Sequence, residues 1–167
     1  MRQKRENIPL DFTKKIIMVG FLLGMVLFVT GCAEEKKVNL PTDILSKPLT
    51  VLKEESCGCC GEYVQYLTEN GFAVTVNEIT DMIPIKEKYE IPTAMRSCHT
   101  TLVDGYVVEG HVPLEAVEKL LTEKPNINGI ALPGMPSGSP GMSGQKEEQF
   151  VIYSLNKDGS VAEFMRI

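Results

Sequence analysis

No tryptophan occurs among the 167 residues, and there are only two histidines, His99 and His111. Aromatic residues make up 7% of the chain and are nowhere interleaved with a basic patch, which excludes the stacking and phosphate contacts of nucleic-acid binding. Positive charge is the scarcer sign, with 17 Lys/Arg against 22 Asp/Glu. An acidic surface draws cations toward it. A membrane-spanning stretch is missing too: the apolar run from Ile16 to Val29 has 14 residues, and a helix needs about 20 to cross a bilayer.

What that run does have is the right surroundings for export. Arg2, Lys4, Arg5, Lys14 and Lys15 precede it, and Val29-Thr30-Gly31-Cys32 follows, which resembles the lipobox of bacterial lipoproteins. An uncleaved transmembrane anchor is the alternative, disfavoured by length. The reading is a signal peptide over residues 1–31, with Cys32 lipidated as the first residue of the mature chain and residues 32–47 a polar tether. A folded domain over residues 48–167 would then stand outside the cytoplasm in the cell envelope, held to the membrane by its lipid. Residues 1–31 carry five Lys/Arg and two Asp/Glu, so the remainder keeps 12 and 20, a net charge of −8. About 135 residues suffice for one compact domain.

Cysteine is sparse but concentrated. Besides Cys32 there are Cys57, Cys59, Cys60 and Cys98, and three sulfurs fall within Cys57-Gly58-Cys59-Cys60. Packing alone does not call for such a cluster; soft-metal binding or thiol redox chemistry does. An even number of cysteines would also permit two structural disulfides. A bridge inside so tight a turn closes almost no loop, however, and constrains the unfolded chain little.

The chain around the cluster reads as alternating elements. Leu49 to Leu52 is a short buried strand, followed by the cysteine turn and a helix from Gly61, with Val64 and Leu67 on one face and Asn70-Gly71 as its stop. Phe72 to Ile79 alternates as a strand, and a short helix spans about Pro84 to Tyr89, ended by Pro92. Thr100–Val103 and Tyr106–Glu109 form a hairpin around Asp104-Gly105. Pro113 opens a helix with Leu114, Val117, Leu120 and Leu121 on one face, closed by Lys124-Pro125. This order is that of a thioredoxin-like α/β fold, and Phe150–Leu155 with Ser160–Ile167 adds a C-terminal β-hairpin. Cys57 and Cys60 have the C-x-x-C spacing that carries a redox dithiol in that fold, at a helix start whose free N–H groups favour thiolate. Ile91-Pro92-Thr93 resembles the proline that faces the dithiol in thioredoxins, but the stretch from there to Asp104-Gly105 is longer. Counting back from the turn brings Cys98 near the dithiol instead.

The hairpin also sorts the histidines. With Asp104 and Gly105 as loop residues, Val103 opposes Tyr106, and the register runs outward to Cys98 opposite His111, whose Cβ atoms would lie about 5 Å apart. Cys98 and His111 could therefore share an ion, provided the ladder continues past Gly110. His99 is expected on the other face, a weaker candidate ligand. Leu132 to Met142 is too rich in Gly and Pro for helix or strand, yet it carries Met135 and Met142. Two thioethers on a stiff loop beside a thiolate turn look like a lid of further soft donors. Thiolate, thioether and imidazole together select Cu(I) over hard ions. Zinc suits Cys and His equally, but methionine hardly ever ligates it.

Four stretches, Cys57-Gly58-Cys59-Cys60-Gly61, Ser97-Cys98-His99-Thr100, Val108 to Pro113 and Pro133 to Met142, resemble in order the domain-of-unknown-function 411 family, which includes the CopG-like copper-resistance proteins. The resemblance implies a thioredoxin-like envelope protein that binds copper through its cysteines, with Met and His support. The expected function is copper handling or resistance: Cys57, Cys59, Cys60 and Cys98 as thiolate ligands, His111, His99, Met135 and Met142 in support, several Cu(I) ions bridged by the sulfurs, and other copper-handling envelope proteins as partners. A thiol-disulfide oxidoreductase using Cys57 and Cys60, or a thiol-dependent copper reductase, is the alternative, but it would need neither Cys59 nor the Met loop.

Overall fold

The computed structural model describes residues 38–167. The signal segment, Cys32 and the first part of the tether lie outside the described residues. The molecule is mixed α/β, built on one seven-stranded sheet in the order β2-β1-β3-β4-β5-β6-β7. Its strands are β1 (Leu49–Lys53), β2 (Val74–Glu78), β3 (His99–Val103), β4 (Tyr106–Glu109), β5 (Ile127–Ala131), β6 (Val151–Asn156) and β7 (Val161–Arg166). The helices are α1 (Thr42–Leu45), α2 (Gly58–Glu69), α3 (Ile83–Lys88) and α4 (Leu114–Glu123), with a 3-10 turn at Thr93–Met95. β1 runs parallel to β2 and antiparallel to β3, and β4 runs antiparallel to β3 and parallel to β5. β5, β6 and β7 continue the sheet antiparallel.

Side-chain alternation along β3 and β4 divides the core. Val51, Val103 and Val108 face Tyr63 and Leu67 of α2 and the Leu114, Val117, Leu120 and Leu121 stripe of α4. Each fully buried leucine there contributes roughly 1.5–3 kcal/mol by leaving water. The opposite face collects Val107, Ala131, Leu155 and Ile91, with Tyr89, Met95 and Leu102 against them. The helices α2 and α4 pack on the first face because their apolar positions recur at three and four residues.

The fold begins earlier than residue 48. Leu40 and Ile44 are buried in the main core, α1 being the short helix that carries Ile44 inward. Helix α2 likewise starts at Gly58 rather than Gly61, so Cys59 and Cys60 lie in its first turn. Its inward face is Cys60, Tyr63 and Leu67, with Val64 only packed at the edge. β5 is a strand that the sequence pattern had not indicated, since Asn128-Gly129 interrupts any alternation of β-formers.

Candidate metal centre

The end of β1 delivers the chain to Cys57, which caps α2 in extended backbone with no side-chain hydrogen bond to the helix start. The first-turn N–H groups there have no side-chain acceptor from the cap, and the positive end of a helix dipole favours thiolate at such a start. Cys57 and Cys60 are joined by a disulfide, with Cα atoms 5.4 Å apart. Cys59 and Cys98 are free. The Sγ of Cys59 lies 3.6 Å from that of Cys57 and 3.9 Å from that of Cys98. All four Sγ atoms fall within 4.8 Å of one another. The count back from Asp104-Gly105 that put Cys98 beside the dithiol therefore matches the geometry.

The histidines differ from the strict hairpin reading. Ladder pairing holds from Val103/Tyr106 to Thr100/Glu109, as the turn dictates, and there it ends. Gly110 has φ 80°, outside the extended region, so the chain turns and His111 leaves the face that alternation assigns to it. It arrives beside His99 instead of opposite to it: the two rings are 4.8 Å apart, and both pack on Tyr63, at 4.6 Å for His99 and 5.5 Å for His111. The expectation that His99 points away from Cys98 is thus corrected. Cys98 Sγ is 3.4 Å from His111 Nε2 and 3.4 Å from His99 Nδ1. These three residues form a second donor group, sharing Cys98 with the first.

Hydrogen bonding orients the rings. His111 Nδ1 donates to the carbonyl of Pro140 at 2.7 Å, which leaves the Nε2 lone pair facing Cys98. His99 is fully buried, and its Nε2 has no hydrogen-bond partner among the described residues. Tyr63, which no local sequence pattern singles out, buttresses both: it is fully buried, and its hydroxyl donates to the carbonyl of Val112 at 2.8 Å. Its signal was position, one turn after Cys60 on the inward side of α2.

The loop from residue 132 to 149 has no helix or strand. It reaches the centre through Pro140, bound to His111, and through Gly141, where a Cβ would lie 2.6 Å from the backbone N of Tyr63. Met142 is half-buried next to that contact. Met135 is 40% exposed, with left-handed backbone at φ 47°, which an unbranched side chain adopts only under constraint.

Burial sets the protonation states. It pushes the Cys98 thiol up to about 11, with neighbouring Cys59 adding to the rise, so in the metal-free protein Cys98 carries its proton at neutral pH. A cation bound there must displace that proton. Burial also lowers His111. For His99, burial first, then His111 and Lys86, lower the pKa from 6.5 to about 3. The unfolded imidazole takes up a proton below about 6.5 while the folded one stays neutral, so stability from this group is present above 6.5 and is lost as pH falls toward 3. Replacing His99 by Gln is expected to flatten the acid limb by up to about 1.4 kcal/mol per pH unit. Urea titrations of the metal-free protein over about pH 4 to 7 check this, and parallel profiles for the two proteins would contradict it.

The sequence model of a family described as "Protein of unknown function, DUF411" matches residues 95–142, the segment holding Cys98, both histidines and the Met loop. Two solved structures share the fold. "Copper resistance protein copG- Form 2" is 37% identical, with a TM-score of 0.68, over 72% of this chain and 98% of that one. "Copper resistance protein copG- Form 1" is 37% identical, with a TM-score of 0.66, over 72% of this chain and 96% of that one. No curated protein matches the chain in sequence. A disulfide-bearing, cysteine-rich centre on a mixed α/β sheet, with this identity over nearly the whole of those structures, places the chain in a family: it belongs to the DUF411 family of CopG-like proteins.

Proposed function

We propose that the chain is a lipid-anchored protein of the cell envelope that binds and handles Cu(I). The observation that carries this reading is the convergence of four cysteine sulfurs within 4.8 Å at the uncapped start of α2. Such a set is soft and anionic once deprotonated, and its members are close enough to bridge several ions. Bound copper would supply a soft cation. Cys57, Cys59, Cys60 and Cys98 would hold it as thiolates, which requires two electrons from a reductant to open the Cys57–Cys60 bond into two thiolates first, and loss of the thiol protons of Cys59 and Cys98. His111 offers a lone pair already aimed by Pro140, and His99 offers Nδ1. Met135 and Met142 would add thioethers from the loop, and their presence favours copper over zinc. The chain's likeness to proteins named for copper resistance supports the same reading, as does the net charge of −5, which draws cations.

The order β2-β1-β3-β4 with β1 parallel to β2, and α2 and α3 as the crossings, supports assigning the core to the thioredoxin-like class. A second reading is favoured by one observation, the Cys57–Cys60 disulfide beside two free thiols: a thiol-disulfide oxidoreductase or thiol-dependent copper reductase.

Metal analysis and chelator competition test the copper reading together with the lid. The protein purified without reductant or chelator should hold copper, and after reduction should retain Cu(I) in preference to zinc. Gly141→Ala should weaken that retention about ten-fold, because its Cβ drives the loop off Tyr63 and loosens Pro140 from His111. Gly134→Ala imposes a similar backbone strain at φ 81° but meets nothing within 4 Å, so its effect should be small. Zinc in place of copper would overturn the first claim, and equal effects of the two substitutions the second.

A further inference from the structure

Lys86 and Glu109 are 3% and 0% exposed, and they meet on the sheet face opposite Tyr63. Lys86 Nζ donates to Glu109 Oε1 at 2.6 Å and to Thr100 Oγ1 at 2.7 Å, and Thr100 Oγ1 donates to Glu109 Oε2 at 2.7 Å. A buried ion pair of this kind gains little over apolar side chains of the same volume, because desolvation offsets the attraction. Stability therefore does not account for the pair. Its fourth bond suggests what does: the backbone N–H of Ser97 donates to Glu109 Oε1 at 2.5 Å.

Residues 96–98 belong to no helix or strand, and Cys98 sits on a bend just before β3. No ladder fixes its backbone. The end of β4 does so twice. Glu109 grips the Ser97 amide, and Gly110 lets Ser97 lie where a Cβ would come within 2.9 Å of its side chain. We propose that Glu109, held in one orientation by Lys86 and Thr100, is a positioning residue for Cys98. By fixing the Ser97–Cys98 bend it sets the Cys98 sulfur 3.9 Å from Cys59 and 3.4 Å from each histidine. This deepens the copper reading but does not depend on it for its thiol readout.

Three variants test it. Lys86→Met with Glu109→Gln removes both charges yet keeps an acceptor for Ser97. Lys86→Met with Glu109→Leu removes the acceptor as well. Ser97→Pro keeps Lys86 and Glu109 but replaces the N–H donor by a ring carbon that meets Glu109 Oε1, and it also removes the Ser97 hydroxyl that lies 3.9 Å from Cys98 Sγ; Arg96 before it already has the extended backbone, ψ 138°, that precedes proline. The first readout is closure of Cys59 and Cys98 by diamide, a diazene that takes two electrons and two protons from the thiols as the S–S bond forms. Peptide mass mapping follows the bridge, and circular dichroism confirms the fold. The second readout is Cu(I) affinity by chelator competition.

The unsubstituted protein should form the bridge readily. The Leu double variant and Ser97→Pro should form it at least about ten-fold more slowly and bind Cu(I) about 10–100-fold more weakly. The Gln double variant should stay within about three-fold of the unsubstituted protein, because its amide oxygen can still accept from Ser97. Native-like bridging in a folded Leu double variant or in Ser97→Pro would overturn the proposal. So would a Gln double variant as slow as the Leu one, or no bridge in the unsubstituted protein. If bridging follows this order and copper affinity does not, positioning stands and the copper reading fails.

Discussion

Replacing Cys57, Cys59 and Cys60 together by serine is expected to abolish copper retention and leave the fold standing. The sulfurs are the only soft anionic donors in the first turn of α2, and serine hydroxyls neither ionise near neutral pH nor bind Cu(I). Structural losses are bounded. The Cys57–Cys60 disulfide closes a loop of sequence separation 3, which in the chain-entropy account stabilises by about 2 kcal/mol. Cys60 is fully buried, so a hydroxyl there costs roughly 1–3 kcal/mol if it finds no partner. Beyond Cys60, the core lies between the sheet and the Tyr63, Leu67 and α4 stripe, whose side chains the substitutions leave in place. Copper content by mass spectrometry beside the circular dichroism spectrum is the measurement, and undiminished copper in a folded triple variant would sink the copper reading. Cys59→Ser alone separates the two chemistries, since Cys59 stands outside the disulfide and exchange needs only one attacking and one resolving thiol. Its loss should lower copper retention. If instead the protein turns over a small-molecule disulfide, unaffected by Cys59→Ser and by added copper, it is an oxidoreductase first.

How far this site can be read from sequence depends on where local rules hold. Asp104-Gly105 specifies its turn because both residues take positive φ, 49° and 85°, and the four ladder pairs follow from it without error. The same alternation fails one residue past the last ladder pair, at Gly110, because a period of two presumes extended backbone. That single residue moves His111 to the face of His99 and turns an apparently idle histidine into a neighbour of Cys98. The C-x-x-C spacing needs no tertiary information, and the pair it marks is the pair that is bridged. Helix α2 starts three residues before the Gly61 that its local pattern suggests, since glycine and cysteine are weak helix formers and only the packing of Cys60 and Tyr63 compensates. Lys86 and Glu109 show the opposite limit. Glu109 follows Val107 by two positions, on a face the core buries, and a charge in that place demands a partner. Nothing local names Lys86, which comes from α3 across 23 residues of chain.

Cys32→Ser should convert a membrane-associated protein into one that is released, or held only by an uncleaved signal. This expectation is carried by sequence: a basic start, an apolar run of 14 residues, and Val29-Thr30-Gly31-Cys32 at its end. We propose that the thioether-linked lipid on Cys32 is the anchor, because the run is about six residues short of a span and could hold a membrane only poorly by itself. Acyl chains supply what the peptide lacks, each buried CH₂ adding about 0.8 kcal/mol, and more than one chain is needed for stable attachment. Serine at position 32 has no sulfur to receive the lipid, so labelling by a radioactive fatty acid should disappear whether the protein is released or stays with the membrane through its uncleaved signal. A lipid label that persists on the variant would place the anchor elsewhere. Sedimentation that persists without label would return the apolar run to the role of an uncleaved helix. The metal centre should be indifferent to either outcome, since none of its donors precedes Cys57, and equal Cu(I) affinity of the released and anchored forms is the accompanying result to expect.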